Sequence, residues 1–223
     1  MIKFDIVTIF PKIFSSWASE SLIARGQKKK LLRIKAHNLR RWSNDAHKTV
    51  DDRPFGGGLG MVLKIEPIYR AVAALSKVKT KRKVILFTPR GKQFTQQMAH
   101  KLSQLEQIVF ICGRYEGVDE RVASRIADIE LSIGPYDLMG GELAAMVVME
   151  TVARLVPGVL GKPQLLKERI TKAKGFIEYP QYTRPEIFKT KEGKKWPAPK
   201  VLMSGDHKKI EKWKKEHGKE ILA

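Results

Sequence analysis

Three glycine-containing turns hold most of the residues of this chain that could do chemistry. They lie at residues 87–91, 112–117 and 132–141, and each follows a short apolar run that is typical of a buried strand. In a parallel α/β sheet the turns after the strands meet at one edge, which is where ligands bind. The backbone groups of such turns can hydrogen-bond a heterocycle, so the three segments predict a binding site at the carboxyl edge of a sheet.

A fourth glycine-rich segment, residues 49–61, holds Asp51, Asp52 and Arg53 beside four glycines. Its spacing fits neither G-x-x-x-x-G-K-[ST] nor G-x-G-x-x-G, and a polar loop precedes it where a phosphate-binding loop needs a strand. Two interpretations stay open. The segment is either a surface loop or a lid that closes over a polar ligand.

Short apolar runs alternate with longer amphipathic ones, which indicates an α/β fold with a parallel sheet. The pattern predicts strands at 2–10, 84–87, 108–112 and 129–133, and helices at 13–25, 93–105, 119–126, 142–155 and 207–216. The helix at 142–155 is apolar almost all round, so we expect protein to cover it on several sides, as at a subunit interface.

The balance of charges predicts a polyanionic partner. The chain has 43 Lys and Arg against 23 Asp and Glu, a formal charge of +20. The charge is densest after residue 161, where the composition also changes. We therefore predict one domain at 1–161, a linker at 162–175 and a small basic helical domain at 176–223.

The single cysteine, Cys112, excludes an internal disulfide and a cysteine-based zinc site, and its apolar strand predicts a core residue rather than a nucleophile. No apolar run is long enough to span a membrane, and Lys3 and Asp5 interrupt the stretch where a signal peptide would be apolar. These features predict a cytoplasmic protein. Trp196 and Trp213 flank the lysine-rich tail, where an aromatic ring can stack on a nucleobase, but we expect both rings to pack.

Taken together, the motifs resemble the bacterial tRNA (guanine-N1)-methyltransferase family, TrmD, of the SPOUT methyltransferases. The segments that carry the resemblance extend over essentially the whole chain; they are residues 49–61, 112–122, 131–143, 155–161, the run Tyr-Pro-Gln-Tyr-Thr-Arg-Pro-Glu at 179–186, and Val-Leu-Met-Ser-Gly-Asp-His at 201–207. The resemblance implies a sheet with a deep trefoil knot and a homodimer with its two active sites at the interface. It also implies methyl transfer from S-adenosylmethionine (SAM) to N1 of guanosine 37 of tRNA.

The resemblance further implies roles for individual residues. By motif match, the SAM site comprises Pro89, Gly113, Tyr115, Glu116, Ile133, Gly134, Pro135, Tyr136, Asp137, Leu138, Gly140 and Gly141. The residues implied to contact tRNA are Asp51, Arg53, Arg114, Tyr115, Arg184, Ser204 and His207.

Methylation of guanine N1 needs a base for the N1 proton and a cationic donor for the charge that builds on O6. The resemblance assigns the donor to Arg154; from the residues alone, an ion pair with Glu150 one helical turn earlier is an alternative. The family has an aspartate five residues before a glycine, but here that position, counted from Gly175, is Ile170. Glu168 is the nearest carboxylate and Glu116 is a further candidate for the base.

Two other functions stay open at this point. A SPOUT protein that has lost its base would bind SAM and RNA without catalysis, and a related SPOUT enzyme would methylate ribosomal RNA. The resemblance also leaves a requirement for Mg²⁺ open without a site. His47, Asp51 and Asp52 could be a metal cluster, although a polar lid is the better interpretation of these residues.

Overall fold

The computed structural model describes residues 1–76, 81–162, 170–171 and 175–221. The chain divides into two compact units, Met1–Pro163 and Gln164–Ala223. Among the described residues, no helix is both long enough and apolar enough to cross a lipid bilayer.

A parallel sheet of five strands forms the centre of the first unit, with the strand order β2-β1-β6-β5-β7. The strands of this unit are β1 (Ile2–Thr8), β2 (Leu32–Asn38), β3 (Asp51–Asp52), β4 (Val62–Leu63), β5 (Arg82–Gln93), β6 (Gln107–Ile111) and β7 (Ile129–Ser132). Strands β3 and β4 form a separate antiparallel pair. The α/β class and the parallel sheet that the sequence predicted are thus confirmed.

Helices connect the strands. They are α1 (Ser15–Ala18), α2 (Ser21–Lys28), α3 (Ile65–Leu75), α4 (Gln96–Leu102), α5 (Glu120–Arg125) and α6 (Glu142–Ala153), with 3-10 helices at Pro11–Phe14 and Leu39–Trp42. The single helix predicted at 13–25 is wrong, because Glu20 is extended and Ser21 has a φ of 50°, which separates α1 from α2. Strand β2 and helix α3 were not predicted.

Neighbouring side chains of a strand point to opposite faces of the sheet, so each strand contributes to two hydrophobic cores, one on each face. One face carries Phe4, Ile6 and Phe110 and packs with the buried side of α6. The other carries Val7, Val109 and Ile111 and packs with α3. Helix α6 is thereby fixed directly against the sheet.

A buried carboxylate links three strands of the sheet. The side chain of Asp5 in β1 accepts hydrogen bonds from Arg33 in β2 at 2.9 Å and from Gln107 in β6 at 2.8 Å, and it lies 2.9 Å from His37 Nε2. Burial alone would raise the pKa of Asp5, but the hydrogen bonds of His37 and Gln107 and the charge of Arg33 outweigh it and hold the pKa below its ordinary value. Asp5 therefore stays ionised in the folded protein.

We predict that Asp5→Asn lowers the free energy of unfolding at pH 7 by about 3 kcal/mol, since it leaves buried donors and a cation without their carboxylate. A carboxyl with a lowered pKa stabilises the fold above the pKa of the unfolded chain, about 3.9, and this contribution is lost as the pH falls through the folded value. The difference between wild type and variant should therefore shrink below about pH 4.

Urea unfolding across pH measures this difference. The matched control is Glu106→Gln, which neutralises an exposed carboxylate and should change stability by less than about 0.5 kcal/mol. An Asp5→Asn protein as stable as the control would contradict a structural role for the network.

In its described residues, the second unit combines short strands with an α-helix. It contains β8 (Phe176–Glu178), β9 (Ile187–Lys189), β10 (Lys195–Pro197), a 3-10 helix (Lys200–Met203), α7 (His207–His217) and β11 (Lys219–Ile221). The predicted helix at 207–216 is confirmed, and the Asp206 side chain caps it by accepting from the backbone N–H groups of Lys208 and Lys209. The antiparallel pairs β8–β11 and β9–β10 were not predicted, so the unit is mixed rather than purely helical.

Candidate active site

A pocket of about 410 Å³ opens at the carboxyl edge of β5, β6 and β7, where the three glycine-containing turns meet. Its volume is in the range of small-molecule sites. The predicted SAM residues that line it are Pro89, Gly113, Tyr115, Glu116, Ile133, Gly134, Tyr136, Asp137, Leu138, Gly140 and Gly141. Pro135 is not among the lining residues. The structure thus brings together residues that lie up to 52 positions apart in the sequence, from Pro89 to Gly141.

Two of the turns are joined by their backbones at the pocket wall. The N–H of Gly141 donates to the carbonyl of Gly113 at 3.1 Å, and Arg114 and Gly140 form an antiparallel bridge. A Cβ at Gly140 would lie 2.3 Å from Arg114 Nε, and one at Gly141 would lie 2.9 Å from Cys112 Cα. Only glycine permits this close approach of the two turns.

An ion pair braces the same wall. Glu142, in the first turn of α6, is 1% exposed and accepts from Arg114 Nε at 2.9 Å and from the Thr8 hydroxyl at 2.7 Å. The Arg114 guanidinium also lies 4.8 Å from the centre of the Phe10 ring. The carboxylate is favourably placed at a helix N-terminus, and it fixes Arg114 beside the pocket. Glu142 is not among the predicted site residues; a carboxylate at the start of a helix that is apolar for its next seven residues is the signal that could have revealed it.

The segment between β3 and β4 is anchored beside the pocket. The backbone carbonyl of Met61 accepts from Glu116 N–H, and Leu63 exchanges backbone hydrogen bonds with Gly117 and Asp119, all at 3.0 Å. Its tip, in contrast, leaves two apolar side chains almost fully exposed, with Phe55 at 100% and Leu59 at 95%. An anchored base with an apolar tip favours the lid over a simple surface loop.

The predicted substrate residues of the first unit surround this loop and the pocket. Asp51 lies in β3 opposite Leu63, and Arg53 is exposed at the start of the loop. Tyr115 is half exposed in the pocket wall and has a φ of 61°. Arg114 and Tyr115 therefore lie in the pocket itself, whereas Asp51 and Arg53 lie in the adjoining hairpin.

Arg154 is exposed at the C-terminal end of α6, away from the pocket. Ala144, near the other end of α6, lines the pocket, and ten residues of helix separate the two by roughly 15 Å. The carboxylate of Glu150 accepts from the Trp17 indole at 3.2 Å, and within the described ranges it makes no ion pair with Arg154. The helical ion pair that the spacing suggested is therefore not formed.

The candidate bases fall in different places. Glu116 lies in the pocket wall, where its side chain is so close to Gly60 that a Cβ there would lie 2.6 Å from Glu116 Cγ. Glu168 lies outside the described residues. Ile170, where the resemblance implies an aspartate, forms an isolated antiparallel bridge with Phe176.

The remaining predicted tRNA residues belong to the second unit. Arg184, Ser204 and His207 are all exposed. The Ser204 hydroxyl donates to the carbonyl of Val201 at 2.8 Å and accepts from the N–H of Asp206 at 3.2 Å, so it shapes the turn before α7. His207 is the first residue of that helix.

Cys112 follows β6 and is buried, as predicted. Burial, with the nearby charge of Glu142, raises the pKa of its thiol well above the ordinary value, so no thiolate nucleophile is available there. In the part of the chain that the structure describes, no three His, Cys, Asp or Glu side chains form a group that could hold a metal ion, and His47, Asp51 and Asp52 do not form one either.

Comparison with known proteins gives a consistent result. The family model described as tRNA (Guanine-1)-methyltransferase TrmD matches residues 2–221. A protein of Geobacter sp. (strain M21) named tRNA (guanine-N(1)-)-methyltransferase is 48% identical over 99% of this chain and 87% of its own length. Proteins of the same name from Dictyoglomus turgidum and Methylacidiphilum infernorum are 49% and 45% identical, over 97% and 98% of this chain and 84% and 91% of their own lengths. This chain therefore belongs to the TrmD family of tRNA (guanine-1)-methyltransferases.

Proposed function

We propose that this protein transfers a methyl group from SAM to N1 of guanosine 37 of tRNA, giving 1-methylguanosine. The observation that carries the proposal is the pocket of glycine turns in a chain that matches the family model over residues 2–221. The net charge of +20 suits a polyanionic substrate. Because that substrate is tRNA, we place the reaction in the cytoplasm.

The pocket suits SAM in both size and chemistry. Its glycine turns present backbone donors and acceptors to a heterocycle, Ile133 and Leu138 supply apolar contact, and Glu116 and Asp137 supply negative charge for a cationic centre. SAM brings to this site a sulfonium methyl group that is open to in-line displacement. The turns hold and orient that donor, and the loop between β3 and β4 covers it.

The acceptor guanine needs a cationic group that the pocket lining does not place next to it, and a base. We assign to Arg154 the stabilisation of the negative charge that develops on guanine O6. A carboxylate takes the N1 proton, and the two candidates are Glu116, in the pocket wall, and Glu168. A glutamate has one more methylene of reach than the aspartate of other family members and a similar ordinary pKa.

A second copy of the chain would bring Arg154 to the pocket. One side of α6 is buried in the core, but Leu143 is 59% exposed and Val147 is 45% exposed on its other side, close to Met139 in sequence, which is 88% exposed. Such an apolar face is typical of an interface. We propose a homodimer in which this face meets its symmetry mate, so that Arg154 of one copy serves the pocket of the other.

Residues 88–91 bulge out of β5 at the pocket. Both ends of the segment 88–91 pair with β7, since Phe87 and Lys92 are each opposite Leu131. A Cβ at Gly91 would lie 2.5 Å from the backbone N of Leu131, so the two segments touch. We propose a SPOUT-type knotted domain at 1–161, a linker at 162–175 and a tRNA-binding domain at 176–223.

The proposed reaction predicts that labelled SAM methylates an unmodified tRNA transcript with guanosine at position 37, and that the product is 1-methylguanosine. A transcript with adenosine at this position is the control and should take up no label, because adenine offers neither the N1 proton nor O6. Digestion to nucleosides identifies the product. Label in the control transcript, or label only in ribosomal RNA, would contradict the proposal; SAM binding without transfer would favour the non-catalytic alternative.

The glycine turns predict that Gly140→Ala weakens SAM binding about tenfold or more, since the added Cβ displaces Arg114 and overpacks the wall, at a cost of about 1–3 kcal/mol. Isothermal titration with SAM measures the affinity. The matched control is Gly161→Ala, where the added methyl group meets nothing within 4 Å. Equal SAM affinities of the two variants would show that SAM does not depend on this wall.

A further inference from the structure

The hairpin formed by β9 and β10, residues 187–197, exposes two large aromatic rings. Phe188 is 50% exposed and Trp196 is 61% exposed, and their ring centres lie 5.7 Å apart at an angle of 33°. We expected Trp196 and Trp213 to pack. This is confirmed for Trp213, which contacts Tyr182 and stacks on His217 at 4.3 Å. Trp196 packs only against Phe188 and leaves most of its surface exposed.

The register of the hairpin sets the two rings side by side. Phe188 is directly opposite Trp196, so both lie on one face, while the neighbouring pairs Ile187–Pro197 and Lys189–Lys195 lie on the other. The turn is closed by hydrogen bonds between Thr190 and Lys194 and by Gly193, whose φ is 81°. A cross-strand pair of this kind stabilises the hairpin, yet it leaves half or more of each ring in water.

The hairpin that carries these rings is rich in lysine. Residues 186–200 contain five lysines and two glutamates. Lys194 lies in the next pair on the same face as the rings, whereas Lys189 and Lys195 lie on the opposite face of the hairpin, at its edge beside Phe188 and Trp196 in the sequence. Exposed aromatic rings among lysines are how proteins bind unpaired nucleotides, since the ring stacks on a base while the ammonium groups contact phosphates.

We propose that the aromatic hairpin, residues 187–197, binds an unpaired nucleobase of RNA, which stacks on Trp196 while the flanking lysines contact the adjacent phosphates. The inference rests on the proposed function, because a tRNA substrate has unpaired bases in its loops. It adds a base-stacking contact in the second unit to the tRNA contacts proposed above. An apolar protein partner would leave the lysines without a role, so the charge favours RNA.

Two RNAs of equal length test the proposal: a hairpin with an unpaired loop and a fully paired duplex. Trp196→Leu should bind the looped RNA about tenfold more weakly and the duplex unchanged, because only the looped RNA offers a free base. Trp196→Phe keeps an aromatic surface and should lose less than about threefold. The control Tyr69→Leu, which removes a ring that is 62% exposed in the other unit, should alter neither affinity.

Fluorescence of the protein with its native hairpin gives an independent readout. The emission of Trp196, isolated as the difference between wild type and Trp196→Phe, should be quenched by the looped RNA and not by the duplex. An unquenched Trp196, or a Trp196→Leu variant that binds both RNAs as wild type does or loses both equally, would overturn the proposal.

Methyl transfer by the same proteins separates this inference from the proposed function. Wild-type protein that methylates tRNA while Trp196 is not quenched would contradict the stacking contact alone. Quenching by looped RNA in a protein that transfers no methyl group would contradict the proposed function and leave the stacking contact supported.

Discussion

The rigid length of α6 determines which residues can meet at one substrate. Its first turn carries Glu142, which braces the pocket, and its last residue is followed by Arg154, roughly 15 Å from the pocket lining. The buried side of the helix packs on the sheet, so the helix cannot tilt to shorten this distance. We propose that a chemistry that needs both ends of α6 at one substrate uses two copies of the helix, which would meet on the exposed Leu143 and Val147.

The pocket depends in turn on the absence of side chains where its turns cross. Gly140 and Gly141 allow the turn after β7 to contact the turn after β6, and this contact places Arg114 within reach of Glu142. The ion pair then ties the pocket wall to the N-terminus of α6 and, through Thr8, to the end of β1. These contacts join the pocket wall directly to the sheet edge and to α6.

The sequence predicts those parts of the fold and site that local patterns determine. Apolar runs that end at a glycine predict buried strands such as β6 and the turns after them. The burial of Cys112 is predicted by its place at the end of such a run. Edge strand β2 has exposed lysine and arginine on one face, so it lacks the continuous apolar run that predicts a buried strand. Long-range contacts such as Glu142 with Thr8, 134 residues away, leave no local signal. The exposure of Trp196 likewise depends on which other parts of the fold pack on its ring, and residue spacing in the sequence does not predict that.

Mixing two impaired variants tests whether a second copy completes the site. Arg154→Ala should bind SAM without transferring its methyl group, and Gly140→Ala should transfer little when the SAM concentration is kept well below its weakened Kd. Unfolded together and refolded, they should regain about a quarter of wild-type methyl transfer to tRNA, because half of the dimers are mixed and each mixed dimer holds one site with both an intact pocket and an intact Arg154. If a mixture shown to contain mixed dimers regains no activity, the site is not shared between copies, and Arg154 and the pocket of one copy belong to the same site.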